Sequence, residues 1–183
     1  MTWSYSRVAS FDDCPYKWFL SYLYRDENGH SLKKKSGFFA EFGSYMHKIL
    51  QMYLSGLLEK ERLSTYYVAH FKENVFSKAP NSKIYMNYFQ QGFHYLDDFS
   101  FPSRSIIGVE EKVDFMFAGR KFTGFVDLIS ENGKLIVTDH KSRTLKPRSR
   151  RSKPTKHDAE LDEYLRQLYV YSAAIKGKYG RYP

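Results

Sequence analysis

The stretch GFVDLISENGKLIVTDHKS, Gly124–Ser142, has two apolar halves of strand-like composition joined by Glu-Asn-Gly. Asp127, Asp139 and Lys141 nevertheless sit inside those halves, where Asp and Lys are depleted. Side chains alternate faces along a strand, so Asp139 and Lys141 share one face. Whether Asp127 joins them depends on the turn. A two-residue loop, Asn132-Gly133, sets Asp127 opposite Thr138, on the wrong face. A three-residue loop, Glu131-Asn132-Gly133, pairs Ser130 with Lys134 and Asp127 with Val137. Asp127 then lies diagonal to Asp139, on the same face. Gly133 suits the left-handed position that ends such a loop, so this register is the one predicted.

Two carboxylates on one surface repel unless a cation lies between them. Oxygen ligands suit Mg²⁺ or Mn²⁺ rather than zinc, and a histidine ligand tilts the choice towards Mn²⁺. A lysine ammonium beside them can orient a water or stabilise charge developing on a phosphate. The set fits hydrolysis of a phosphodiester. The plainer alternative is a solvent-facing hairpin in which Asp139 and Lys141 are surface residues and Asp127 pairs with a nearby lysine.

Around this hairpin the period of the sequence changes twice. Ser105–Gly119, Lys121–Ser130 and Lys134–Ser142 read as three strands of a meander joined by tight, Gly-containing turns. Upstream, Ser4–Tyr24 has helical spacing broken at Cys14-Pro15, and Pro15 suits the first turn of a second helix. Gly37–Lys60 carries Phe42, Met46, Ile49, Leu50, Tyr53, Leu54 and Leu57 on one side of a helix. Two more helices are predicted over Ser64–Ser77, capped by Ser64, and Asn81–Phe99. Downstream, His157–Gly180 is an amphipathic helix with acidic residues near its start and lysines near its end. Helices, a β-meander and a final helix imply one α/β domain of α+β-like layering. Its segments are helical 1–100, meander 105–142, basic loop 143–157 and helix 158–176.

The chain has 183 residues and a net charge of +9. That excess suits a polyanionic partner, since each neutralised phosphate releases counterions. It is concentrated in KSRTLKPRSRRSKPTK, Lys141–Lys156, which holds no acidic residue. A mobile loop is expected there, with Arg148, Arg150, Arg151 and Lys153 touching phosphates. The longest apolar runs are too short to span a bilayer and the N-terminus has no signal-peptide pattern, so a cytoplasmic protein with no membrane association is expected. The lone Cys14 allows no disulfide within the chain.

Taken together, these motifs resemble the PD-(D/E)XK nuclease superfamily in its RecB-like exonuclease branch, to which CRISPR-associated and phage recombination nucleases are similar. GFVD ending at Asp127 and DHK at Asp139–Lys141 carry the resemblance. The CP at Cys14-Pro15, the Gly-to-His pattern of GSYMHKIL with His47, a Glu at 110 or 111, and Gln-x-x-x-Tyr at Gln167–Tyr171 agree in order. The resemblance implies a restriction-endonuclease-like core. It implies His47, Asp127, Asp139 and the carbonyl of His140 as metal ligands, and Lys141 as the residue that positions the water. Gln167 would support the catalytic site and Tyr171 would touch DNA. Alternation leaves open which of Glu110 and Glu111 faces inward. Relatives with an iron–sulfur cluster use cysteines that this chain lacks, so no cluster is expected within it, unless it is a fragment of a longer polypeptide.

The function expected is a metal-dependent deoxyribonuclease, an exonuclease or one acting on DNA ends or single strands, in repair, recombination or phage DNA metabolism. The alternatives are a non-catalytic DNA-binding module and a subunit of a larger helicase–nuclease complex.

Overall fold

The structure is a computed structural model that describes residues 1–32, 36–142 and 145–183. Helix α1 (Tyr5–Asp13) starts where the Ser4 side chain accepts the Arg7 N–H. It stops at Cys14, whose extended backbone lets Pro15 open α2 (Pro15–Tyr22) at the position where a missing N–H costs nothing. Three longer helices follow: α3 (Phe38–Leu54), α4 (Leu63–Asn74) and α5 (Ser82–Asp97), with Asn81 capping the last through Ile84. They share one core, in which Tyr45, Met46, Ile49 and Leu50 of α3 meet Leu63, Tyr67 and Phe71 of α4 and Leu96 of α5. Each such side chain contributes roughly 1.5–3 kcal/mol by leaving water. The stacked Tyr45 and Tyr67 keep their hydroxyls satisfied on the carbonyls of Tyr67 (3.0 Å) and Phe89 (3.1 Å).

Two helical expectations are corrected. Leu57 is exposed, because α3 ends at Leu54 and Gly56, at φ 73°, turns the chain away before Leu57 is reached. Ser64 does not cap α4, which begins one residue earlier. Its buried hydroxyl donates to Asp97 at 2.9 Å and ties α4 to the end of α5.

Strands β1 (Ser105–Phe117), β2 (Arg120–Glu131) and β3 (Leu135–Thr138) form an antiparallel sheet in the order β1–β2–β3. Ala118 and Gly119, both at positive φ, make the two-residue turn between β1 and β2. In the second hairpin Glu131 pairs with Leu135 and Ile129 with Val137. The loop therefore has the expected three residues but is Asn132-Gly133-Lys134, one position later than the sequence suggested. This register leaves Lys134 exposed in the loop and starts β3 on the buried Leu135. Sliding the pairing by two preserves facial parity, but the ladder ends at the Leu128–Thr138 pair, so Asp139 follows the strand instead of pairing within it. Strand β3 is also shorter than expected, ending at Thr138 rather than Ser142. Where β3 has ended, Trp3 pairs with β2, its N–H on the Lys121 carbonyl and its own carbonyl accepting from Thr123, each at 2.8 Å.

Helix α6 (Lys156–Tyr179) lays Tyr171, Ala174 and Ile175 on Val113, Val126, Ile129 and Leu135 of the sheet. Gly124 makes this approach possible, since a Cβ there would lie 2.6 Å from the Tyr171 ring. Thr155 and Asp158 form a capping box at its start, and Gly180, at φ 74°, ends it. Within the basic segment, residues 143–144 lie outside the described residues. From Leu145 onward it is fastened to α6. Asp158 accepts the N–H and hydroxyl of Ser149 at 2.7 Å each, Lys146 bonds His157 through its carbonyl, and Arg148 pairs with Asp162. The sheet between a helical first half and α6 gives the expected α/β arrangement.

These bonds, the Thr155 N–H first among them, hold the Asp158 carboxyl well below its ordinary value of 3.8. A depressed folded pKa gives stability that is present above about pH 4 and is lost as acid protonates the group. Asp158→Asn should therefore lower the melting temperature at pH 7 and narrow its gap to the wild type as pH falls below 4, read by thermal denaturation across pH.

Candidate metal centre

The site lies where α3, the sheet, the segment after β3 and α6 converge. Gly43, one turn before His47, allows α3 to approach that segment, since a Cβ at Gly43 would sit 3.1 Å from the Ser142 hydroxyl oxygen. His47 then brings its Nδ1 to 3.6 Å from Asp127 Oδ2 and 4.0 Å from Glu110 Oε1. One potential ligand atom from each of His47, Glu110 and Asp127 lies within 4.8 Å of the other two. All three side chains are partly buried.

Glu110 is the residue that sequence reasoning left undecided. Its neighbours Val109 and Glu111 pair with Leu128 and Val126, so Glu110 stands across from Asp127. Its φ of 49° departs from strand geometry in a residue with no glycine-like freedom. Strain of this kind collects at functional sites and is maintained by surrounding structure. Simple alternation cannot foresee such a residue. Glu111 points elsewhere, accepting from Lys178 at 2.7 Å and from the Tyr179 hydroxyl at 3.0 Å.

Charge in the site is one-sided. Burial raises the Glu110 pKa, the Asp127 and Asp139 carboxylates push it further up, and His47 partly offsets them. Asp127 is held by the His140 backbone N–H, which donates to Oδ2 at 2.7 Å. Burial lowers the His140 ring pKa, opposed mainly by Asp127. Crowded carboxylates with a histidine at their edge form a donor set that a hard divalent cation would stabilise.

Beside this cluster stands a second one. Lys141 Nζ lies 2.7 Å from Asp139 Oδ2, 3.5 Å from Gln167 Oε1 and 4.8 Å above the centre of the Tyr164 ring. Gln167 also donates to Asp139 Oδ1 at 3.2 Å, so one amide from α6 holds both charged residues. Asp139 thus faces Lys141 and Gln167, and its charge is felt at Glu110 and His140. Arg148, Arg150, Arg151 and Lys153 are all exposed. Tyr171, expected to touch DNA, is only 7% exposed and packs between α6 and Gly124. Its place is in the core, because the absence of a side chain at Gly124 opens room there for its ring.

The family model of the PD-(D/E)XK nuclease superfamily matches residues 2–182. The chain belongs to the PD-(D/E)XK nuclease superfamily. Searches of curated proteins and of solved structures returned no match. Among the described residues, six α-helices and a three-stranded antiparallel sheet agree with the restriction-endonuclease-like fold of this superfamily. Membership implies a nuclease that uses a divalent metal and acts on DNA, and the His47–Glu110–Asp127 cluster of this PD-(D/E)XK chain can hold such an ion. No helix among the described residues is long and apolar enough to cross a membrane.

Proposed function

We propose that the chain is a Mg²⁺- or Mn²⁺-dependent deoxyribonuclease of the RecB-like branch that hydrolyses phosphodiester bonds as an exonuclease. The observation that carries this reading is the convergence of His47, Glu110 and Asp127 within 4.8 Å, with Lys141 on Asp139 beside them. His47, Glu110 and Asp127 would hold the ion, with Asp139 and the His140 carbonyl completing the proposed set. When bound, a divalent ion lowers the pKa of water and neutralises phosphate charge. Asp127 is oriented by the His140 N–H, which donates to its Oδ2. Lys141 offers its ammonium to the attacking water and to the negative charge that grows on the phosphate. Gln167 fixes the Lys141 and Asp139 side chains so that neither must reorganise during the reaction. In this reading the enzyme acts in the cytoplasm on DNA ends or single strands, in repair, recombination or phage DNA metabolism. It works alone or within a helicase–nuclease complex.

The test is cleavage of end-labelled DNA with Mg²⁺ or Mn²⁺. Wild-type turnover that disappears in Asp127→Ala, Asp139→Ala and Lys141→Ala supports the reading, whereas full activity in Lys141→Ala refutes it. Affinity would come largely from the exposed Arg150, Arg151 and Lys153. Replacing all three with alanine should weaken DNA binding uniformly across sequences. It should also flatten the dependence of log Kd on log salt by about two units or more, as expected if each side chain neutralises one phosphate. Binding titrations at several salt concentrations measure that slope.

A further inference from the structure

A cavity of about 620 Å³ opens beside the catalytic cluster, between α3 and α5. His47 and Lys141 belong to its wall as well as to the catalytic site, so a phosphate held by those groups would have its neighbouring nucleotide directed into this space. The opposite wall is α5. Its rotation is fixed, because Leu96 is fully buried and Gly92 lies against the Tyr67 hydroxyl, where a Cβ would approach to 2.4 Å. That rotation turns Asn87, Tyr88, Gln91 and Tyr95 towards the cavity.

Each of these has chemistry suited to a nucleobase. The amide of Gln91 donates to Asn87 at 3.2 Å. One amide bonded to another leaves a free donor on one partner and a free acceptor on the other, the complement of a base edge. Tyr88 is braced edge-on against Phe42 and Phe38, and so presents a rigid wall. Tyr95 is 47% exposed, leaving part of its ring accessible to a stacking base. No acidic residue among the described ones lines this cavity, and Lys141 gives it positive charge. By contrast, the equally large cavity between α1 and α6 sets Asp12, Asp13 and Glu163 against Arg166, a net negative wall less suited to a phosphate.

We infer that this cavity is the subsite for an unpaired nucleobase next to the scissile phosphate, which makes single-stranded DNA the preferred substrate. The inference rests on the nuclease reading for its phosphate position. A base still paired in a duplex cannot enter a pocket of this size with its edge free, so a duplex would reach the catalytic groups only after fraying.

The test uses the full chain and single-stranded oligonucleotides carrying 2-aminopurine near the end, with a blunt duplex of the same sequence as comparison. Ca²⁺ replaces Mg²⁺ for binding, and cleavage is followed separately with Mg²⁺. Stacking in the cavity should quench the 2-aminopurine signal on the single strand. Tyr95→Ala should relieve the quench and weaken single-strand binding roughly tenfold, while duplex binding through the basic segment changes less than twofold. The double variant Asn87→Ala/Gln91→Ala should keep the quench and flatten affinity differences among bases. An unquenched wild-type complex, or equal losses for strand and duplex in Tyr95→Ala, overturns the subsite. Quenching without any cleavage would retain the subsite and remove the nuclease reading. Cleavage indifferent to strandedness and to both variants would do the reverse.

Discussion

Replacing Lys141 with alanine should slow phosphodiester cleavage by roughly 10²–10³-fold, the loss typical when one preorganised donor to a developing oxyanion is removed. The ammonium is already placed for this role, 2.7 Å from Asp139 and held by Gln167 over the Tyr164 ring. Its contribution belongs to the transition state, so the fall should appear in kcat with little change in KM. Lys141→Arg should not rescue the rate, because a planar guanidinium cannot occupy the space of a compact ammonium between Asp139 and Gln167. Single-turnover cleavage of labelled DNA, beside a circular dichroism melt showing an intact fold, separates a chemical loss from a structural one. A similar rate in Lys141→Ala and wild type contradicts the assigned role.

Glu110→Asn should separate stability from activity in the opposite direction. Asparagine tolerates the left-handed backbone that Glu110 adopts at φ 49°, and it removes one of the crowded carboxylates. Relieving strain of about 1 kcal/mol should raise the metal-free melting temperature by about 2–4 °C. The Glu110 pKa is raised above its ordinary 4.5, so its contribution to stability is present below that value and is lost as pH rises through the folded pKa. The advantage of the variant should accordingly be largest at neutral pH and shrink under acid, where wild-type Glu110 is protonated. Cleavage and Mn²⁺ affinity should meanwhile fall at least tenfold, in keeping with the loss of a metal-holding carboxylate. Calorimetric melts from pH 4 to pH 8 and Mn²⁺ titration measure both halves. A variant that is less stable and binds Mn²⁺ as tightly as wild type would show that the strain at Glu110 serves no cation.

Much of this arrangement could be read from residue order. The apolar stripe of α3, the break at Cys14-Pro15, the meander and the acidic start of α6 are local patterns, and local geometry obeys them. The second hairpin shows where such reading stops. Loop length could be inferred from Gly133, but the loop starts on Asn132 rather than Glu131, and since both registers put the same side chains on each face, the apolar pattern could not choose between them. Asp127 stood out because a charge in an apolar strand demands a reason, whereas Asp139 and Lys141, read as part of the next strand, lie just past the end of β3. His47 carried only a weak signal, a glycine one turn upstream, which gains meaning once Ser142 is seen against Gly43. Glu110 was hidden by its positive φ, since alternation assumes a regular strand. Leu57 was misplaced because the helical stripe does not show that Gly56 ends α3 early, and the burial of Tyr171 depends on Gly124 of a distant strand, which the helix sequence does not reveal.

The most direct measurement is anomalous diffraction from crystals soaked in Mn²⁺. A single strong peak among His47 Nδ1, Glu110 and Asp127 is the result this account predicts, and it should vanish in Asp127→Ala. A structure saturated with Mn²⁺ in which those three side chains hold no ion, or in which the ion settles on a surface carboxylate pair such as Asp12 and Asp13, would contradict it.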